Sequence, residues 1–170
     1  MRKQVLSLSL VAGLALFTFA SCGGDTTDSE QSTATEETMD SGAELEILEI
    51  EIQGGDDMKF DKTQLHAKAG QTVRLTLVHT GEMSKDAMGH NFVLLQEGSD
   101  VAEFGTAASS EQANDYIPTS KSSEIIAHTD LIGGGESTTI EFVAPEAGRY
   151  PFLCSFPGHF GLMKGLFIVE

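Results

Sequence analysis

Three metal-ligand side chains fall within ten residues near the end of the chain. They are Cys154, His159 and Met163, in Cys154-Ser155-Phe156-Pro157-Gly158-His159-Phe160-Gly161-Leu162-Met163. The spacing is Cys-x4-His-x3-Met. A chain that uses all three together must fold this stretch into a loop whose side chains converge on one point. The Phe-Pro-Gly turn between Cys154 and His159 supplies the bend, and Pro157, which has no N–H, limits how many backbone donors reach the sulfur. Taken singly, each residue has an ordinary reading: a Cys in an apolar run is an inert core residue, a Met fills gaps, and a loop His is solvated. Together, a thiolate, an imidazole and a thioether select copper over calcium or magnesium, which want oxygen. His90, in Met88-Gly89-His90-Asn91-Phe92, offers a second imidazole far upstream. Two His and one Cys in a plane, with a weak axial Met, are the ligand set of an electron-transfer copper site. Zinc is the main competing metal, but its sites rarely use Met and its structural sites usually pair cysteines. A Cys-His hydrolase is a further alternative. It leaves Met163 unexplained, and the chain shows no clear third group to orient the histidine.

These residues carry a family resemblance. Cys154 to His159, followed by Leu162-Met163-Lys164-Gly165, resembles the copper loop of the azurins, a family of bacterial cupredoxins. Met88-Gly89-His90-Asn91-Phe92-Val93-Leu94 resembles the first azurin ligand segment, and Ala127-His128-Thr129-Asp130-Leu131-Ile132-Gly133 a third azurin stretch. The resemblance runs collinearly from about Ile47 to Glu170. It implies an all-β, Greek-key β-sandwich of the cupredoxin type with a short helical flap. It implies one copper ion, held by His90, Cys154, His159 and Met163 with the Gly89 carbonyl as a fifth ligand. Asn91 matches the residue that ties the two ligand loops together, and Phe156 is expected inward beside the site. Phe92 stands where the family commonly has a buried Trp. The early disulfide usual in the family has no counterpart here. The only two cysteines are Cys22 and Cys154, and pairing them would consume the copper thiolate.

The chain opens Met1-Arg2-Lys3, continues with an apolar stretch from Val5 to Phe19, and then reads Ala20-Ser21-Cys22. Positive charge, a short apolar region and small residues before a cut point make a secretory signal. The ending resembles a bacterial lipoprotein signal, although Phe19 departs from the usual Leu. Residues 1–21 are therefore expected to be a lipoprotein-type signal peptide, with Cys22 lipidated. Residues 22–46 are rich in Ser, Thr, Asp and Glu, with no aromatic residue and no Lys or Arg. Such a segment cannot bury enough apolar surface to offset its chain entropy, so it reads as an acidic disordered tether. Residues 47–170 form the expected cupredoxin domain, and at 170 residues one folded domain is the sensible expectation.

The formal net charge is −16. Eight acids lie in 22–46 and the two charges of the leader are basic, which leaves −10 for residues 47–170. Nucleic acid is thereby an unsuitable partner, and a basic redox partner would be steered in.

The domain reads as short strands separated by glycine turns. A strand-like run begins at Leu45, Ile47, Ile50 and Ile52. Further strands are expected over 64–67, 72–79, 91–95, 123–127, 138–143, 148–153 and 165–169. Asp100 or Ser99 can cap a short helix through Ala107. His79 matches a partly buried histidine of the azurins beside the site and is expected to be structural. His66 and His128 are expected on the surface.

Three functions compete. A single-copper electron shuttle suits the buried four-residue ligand set. Copper storage or delivery needs an accessible, labile metal. A multicopper oxidase or nitrite reductase needs further histidine clusters, which five histidines cannot supply. Expected partners are redox proteins such as c-type cytochromes or copper enzymes, met by a monomer, and the N-terminal signal implies a place in the bacterial cell envelope, on the periplasmic side or outer membrane through the Cys22 anchor. Docking is expected around His159, the ligand nearest solvent, on an apolar rim of Met58, Met83, Met88, Phe160 and Leu162, with Phe160 turned outward.

Overall fold

The computed structural model describes residues 46–170. The expected signal peptide, Cys22 and the acidic segment up to residue 45 lie outside the described residues. Strand β3 (Thr72–His79) shows why the chain forms sheets. Val73, Leu75 and Leu77 are fully buried and alternate with the partly exposed Arg74, Thr76 and Val78. That period of two puts one apolar face against the core. In the first sheet, β3 pairs in parallel with β1 (Leu48–Gly54) and antiparallel with β6 (Ser137–Val143). The second sheet has the order β2 (Gln64–Ala67), β8 (Lys164–Val169), β7 (Gly148–Leu153), β4 (Val93–Leu95), β5 (Ile125–His128).

The core between the two sheets holds Ile52, Leu75, Leu77, Phe92, Phe152 and Phe167, all fully buried. Burying each such side chain stabilises the fold by about 1.5–3 kcal/mol. Phe92 packs on Phe152 at a centroid distance of 5.0 Å, so the position usually held by Trp stays aromatic. On the outer face of the first sheet, Arg74 bridges Glu141 at 2.6 Å and also Glu49. Solvent screens such exposed pairs, so they add little stability.

The strands expected over 64–67, 72–79 and 148–153 are observed unchanged. Others differ for local reasons. The first strand starts at Leu48. The strand expected from residue 91 starts at Val93, because the Phe92 N–H donates to the Thr129 hydroxyl (3.0 Å) instead of a ladder. The strand expected from 123 starts at Ile125, since 3-10 turns occupy Thr119–Glu124. A four-residue helix, α1 (Lys85–Met88), was not anticipated.

The flap helix, α2 (Val101–Ala108), begins where expected. The Asp100 carboxylate accepts from the N–H groups of Ala102 (2.8 Å) and Glu103 (3.1 Å). Phe104, Gly105 and Ala108 form its buried face, at the i, i+4 spacing of a helix.

Registers bring one set of strand ends together. Gly54 pairs with His79, Val93 with Leu153, and His90 bridges Ile132. The ends of β1, β3 and β7 and the approach to β4 thus share one pole of the sandwich.

Candidate metal centre

At that pole, donor atoms of His90, Cys154 and His159 all lie within 4.8 Å of one another, and all three residues are buried. The Cys154 sulfur is 3.6 Å from Nδ1 of His159 and 4.0 Å from Nδ1 of His90. His90 sits just before β4, pinned by two backbone hydrogen bonds to Ile132, each 2.9 Å. Its Nε2–H donates to the Gly55 carbonyl at 2.9 Å. That bond assigns the ring proton to Nε2 and turns the Nδ1 lone pair toward the sulfur, as metal-ligating imidazoles require. The Gly89 carbonyl lies 3.0 Å from this Nδ1 and 3.9 Å from Sγ of Cys154. Electron-pair donors thus face one point, where a cation satisfies them all.

Cys154 follows directly on β7, and the loop to β8 is closed by its own backbone. Cys154 N–H donates to Met163 O (2.9 Å), His159 N–H to Phe156 O (3.0 Å) and Met163 N–H to His159 O (2.8 Å). Gly158, at φ +84°, makes the turn that residues with a Cβ resist. Met163 is fully buried. A Cβ on Gly54 would sit 2.9 Å from the Met163 methyl and 3.0 Å from the His90 ring, so only glycine leaves room for both ligands.

The pocket keeps its own donors neutral. Burial pushes the Cys154 thiol up to about 12, against the opposing pull of backbone N–H groups of Asn91 and Phe156. Burial, then the neighbouring His90 and His79, lowers His159 to about 4. His90 is lowered as well, chiefly by burial. Two neutral imidazoles, a thiol that gives up its proton only to a metal, and a thioether suit copper. The geometry and the donor chemistry therefore fit that ion.

The surrounding residues brace the ligands. The Asn91 amide accepts from Ser155 N–H at 2.8 Å and donates to the Ser155 hydroxyl at 2.8 Å, tying the two ligand segments as expected. Phe156 is buried, its ring 4.7 Å from the His159 ring. His79 is completely buried, more than expected. It stacks on His90 at 4.2 Å, accepts from Gly81 N–H at Nδ1 (3.1 Å) and meets Met88 O at Nε2 (2.8 Å). With both ring nitrogens engaged, it is a satisfied structural histidine. His66 and His128 are exposed and stand apart from the cluster.

The rim is less uniform than expected. Met83 is 42% exposed and Leu162 is 59% exposed, while Met58 and Met88 are half-buried. Phe160 does not turn outward. It is half-buried against the second core cluster, on Gly105 of α2, where the missing Cβ makes a seat for the ring. His159 is 3% exposed whereas Cys154, His90 and Met163 are wholly covered, so it is the ligand nearest solvent. Gly54-Gly55, one of the glycine turns between strands, also serves the site. A glycine pair at a strand end signals close approach, and that signal was available.

The protonation pattern makes a prediction for the metal-free protein. At pH 7 the Cys154 thiol lies far below its elevated pKa and holds its proton, while His159 lies above its lowered pKa and holds none. Cu(II) uptake should therefore release about one proton, and apparent affinity should rise about tenfold per pH unit above pH 4. Below about pH 4, His159 is protonated as well and the release should approach about two protons. Calorimetry in buffers of different ionisation enthalpy reads this count. Release of none at pH 7 would mean that the thiol is not a ligand.

Comparison with known proteins agrees with this geometry. The sequence profile of the copper-binding plastocyanin/azurin family matches residues 47–170. Azurin-1 of Alcaligenes xylosoxydans xylosoxydans is 36% identical over 121 residues, covering 69% of this chain and 93% of that protein. Auracyanin-A of Chloroflexus aurantiacus is 32% identical over 174 residues, covering 100% of this chain and 98% of its own. The solved structure of auracyanin A, described as a "blue" copper protein, superposes with a TM-score of 0.66 at 36% identity, over 73% of this chain and 99% of that one. An azurin of Methylomonas sp. strain J superposes with a TM-score of 0.65 at 30% identity, over 72% of this chain and 98% of that one. This chain belongs to the plastocyanin/azurin family and is a blue copper electron-transfer protein.

Proposed function

We propose that the protein shuttles single electrons between redox partners of the bacterial cell envelope. Gly89 (through its carbonyl), His90, Cys154, His159 and Met163 are its copper ligands. The observation that carries this reading is the buried triangle of His90, Cys154 and His159 donors within 4.8 Å. When bound, copper supplies a centre that gains and loses one electron. The chain's residues hold the donors in one arrangement for both oxidation states, which lowers the reorganisation accompanying transfer. Storage or delivery is disfavoured, because full burial of Cys154 and Met163 gives a departing metal no exposed donor to follow.

Residues 1–21 act as the export signal, and residues 22–46 tether the domain of residues 47–170 to a lipidated Cys22. One acyl chain binds a membrane only marginally, so stable anchoring needs several. Partners are redox proteins such as c-type cytochromes or copper enzymes, meeting a monomer at the pole that carries His159. Between Arg149 and Lys164 the chain has no charged residue. A connecting loop without charge on an acidic domain suits a small, dry contact that forms and dissolves quickly, with the surrounding charge guiding approach.

Three outcomes are expected. The copper-loaded protein should absorb intensely in the visible red through charge transfer from the Cys154 thiolate. Cys154→Ser should abolish the band, while substitution of Met163 should move the potential with copper retained; a colourless Cu(II) wild type would sink the ligand assignment. Mass spectrometry of the native mature protein should find an acylated N-terminal Cys22, and an unmodified Cys22 would refute the anchor. Leu162→Asp and Met83→Lys, which alter exposed side chains, should slow electron exchange with the native partner about tenfold, with the visible spectrum intact. Unchanged exchange in both would put the exit elsewhere.

A further inference from the structure

The three residues that directly follow His90, Cys154 and His159, namely Asn91, Ser155 and Phe160, share one neighbour. Each is held by the insertion between β4 and β5 that carries α2. The Asn91 side-chain amide donates to the Asp115 carbonyl at 3.2 Å. The Ser155 hydroxyl donates to the Tyr116 carbonyl at 2.7 Å. The Phe160 ring lies across Gly105, so closely that a Cβ there would sit 2.3 Å from its Cγ. We propose that this insertion is a positioning frame for three of the copper ligands, holding His90, Cys154 and His159 each by its next residue. The proposal rests on the copper reading above.

Two features of the insertion itself point the same way. Gly105 lies inside α2, where alanine would favour the helix. Its bare Cα is used by the ring that follows His159. Asp115 and Tyr116 are consecutive residues with left-handed backbone, at φ 48° and 60°. Residues with a Cβ adopt that conformation at a cost, and it persists where the surroundings over-determine it. Here the carbonyls of those two residues are the acceptors for Asn91 and Ser155. From the other side, Cys154 follows β7 directly and His90 is bridged to Ile132. The His90 and Cys154 side chains are therefore fixed between the sandwich and the insertion, and the His159 loop is held to the insertion through Phe160. Such a frame limits how far they move when the metal changes charge.

The test compares wild type, Gly105→Ala and Ser155→Ala, each metal-free and copper-loaded. In the metal-free protein, amide hydrogen exchange of His159, Leu162 and Met163 should quicken about tenfold in Gly105→Ala, with β3 amides unchanged. In a Phe160→Ala background the same substitution should change exchange by less than about twofold, since the ring it displaces is gone. Ser155→Ala removes one hydroxyl without adding bulk, and decides the matter if Gly105→Ala does not fold. It should quicken exchange in the ligand loop alone. In the loaded protein it should alter the copper hyperfine splitting in EPR. Unchanged loop exchange overturns the proposal. So does acceleration spread evenly through β3, which would make the insertion a general stabiliser. A wild type without the blue band would instead fault the copper reading, which the metal-free exchange does not depend on.

Discussion

The sulfur of Cys154 is a thiol that water does not reach. Burial alone holds it protonated up to about 12, so at neutral pH the pocket stays uncharged until a metal arrives. Much of the structure follows from that. The imidazoles facing the sulfur must also be neutral, and burial keeps them so. His90 must present Nδ1, and the Gly55 carbonyl secures this by taking its other proton. Met163 must reach the same point, and Gly54 leaves the space. Losing the Gly55 acceptor would leave a buried ring N–H without its partner, which costs more than the bond itself is worth.

The sandwich serves this pocket by being dull. Its core of aliphatic and aromatic side chains packs two sheets whose strand ends at one pole cannot drift independently. Ligands placed at or just beyond those ends inherit the precision of the packing. The loop from Cys154 to Met163 is the exception, since connections are ordinarily mobile. It is restrained by its own backbone bonds and by Asn91, Phe156 and Phe160. Rigidity inside and access outside meet at His159, which alone of the four donors His90, Cys154, His159 and Met163 keeps a slight exposure.

Charge and polarity divide the labour on the surface. The domain is acidic, yet the stretch between Arg149 and Lys164 carries no charge at all. In the docking proposed above, long-range attraction and final contact use different parts of the molecule. A carrier needs that division, because tight charge pairing at the contact itself would slow release.

The sequence alone determined the donor set and the fold class. Cys154, His159 and Met163 lie within one loop, and their chemistry excludes the hard cations whatever the fold. The alternation of Val73, Leu75 and Leu77 likewise dictates a strand, because period two is a property of the chain. What only the tertiary structure decided concerns residues whose meaning depends on a distant neighbour. Nothing in Phe160 says inward or outward. Its orientation comes from Gly105, 55 positions away in sequence, which happens to lack a Cβ where the ring arrives. The same holds for Gly55 as the acceptor for His90, and for Asp115 and Tyr116 as acceptors for Asn91 and Ser155. Periodicity and donor chemistry are local and can be read along the chain. Contacts between loops are set by how two packed sheets bring their ends together, and no stretch of sequence contains that information by itself.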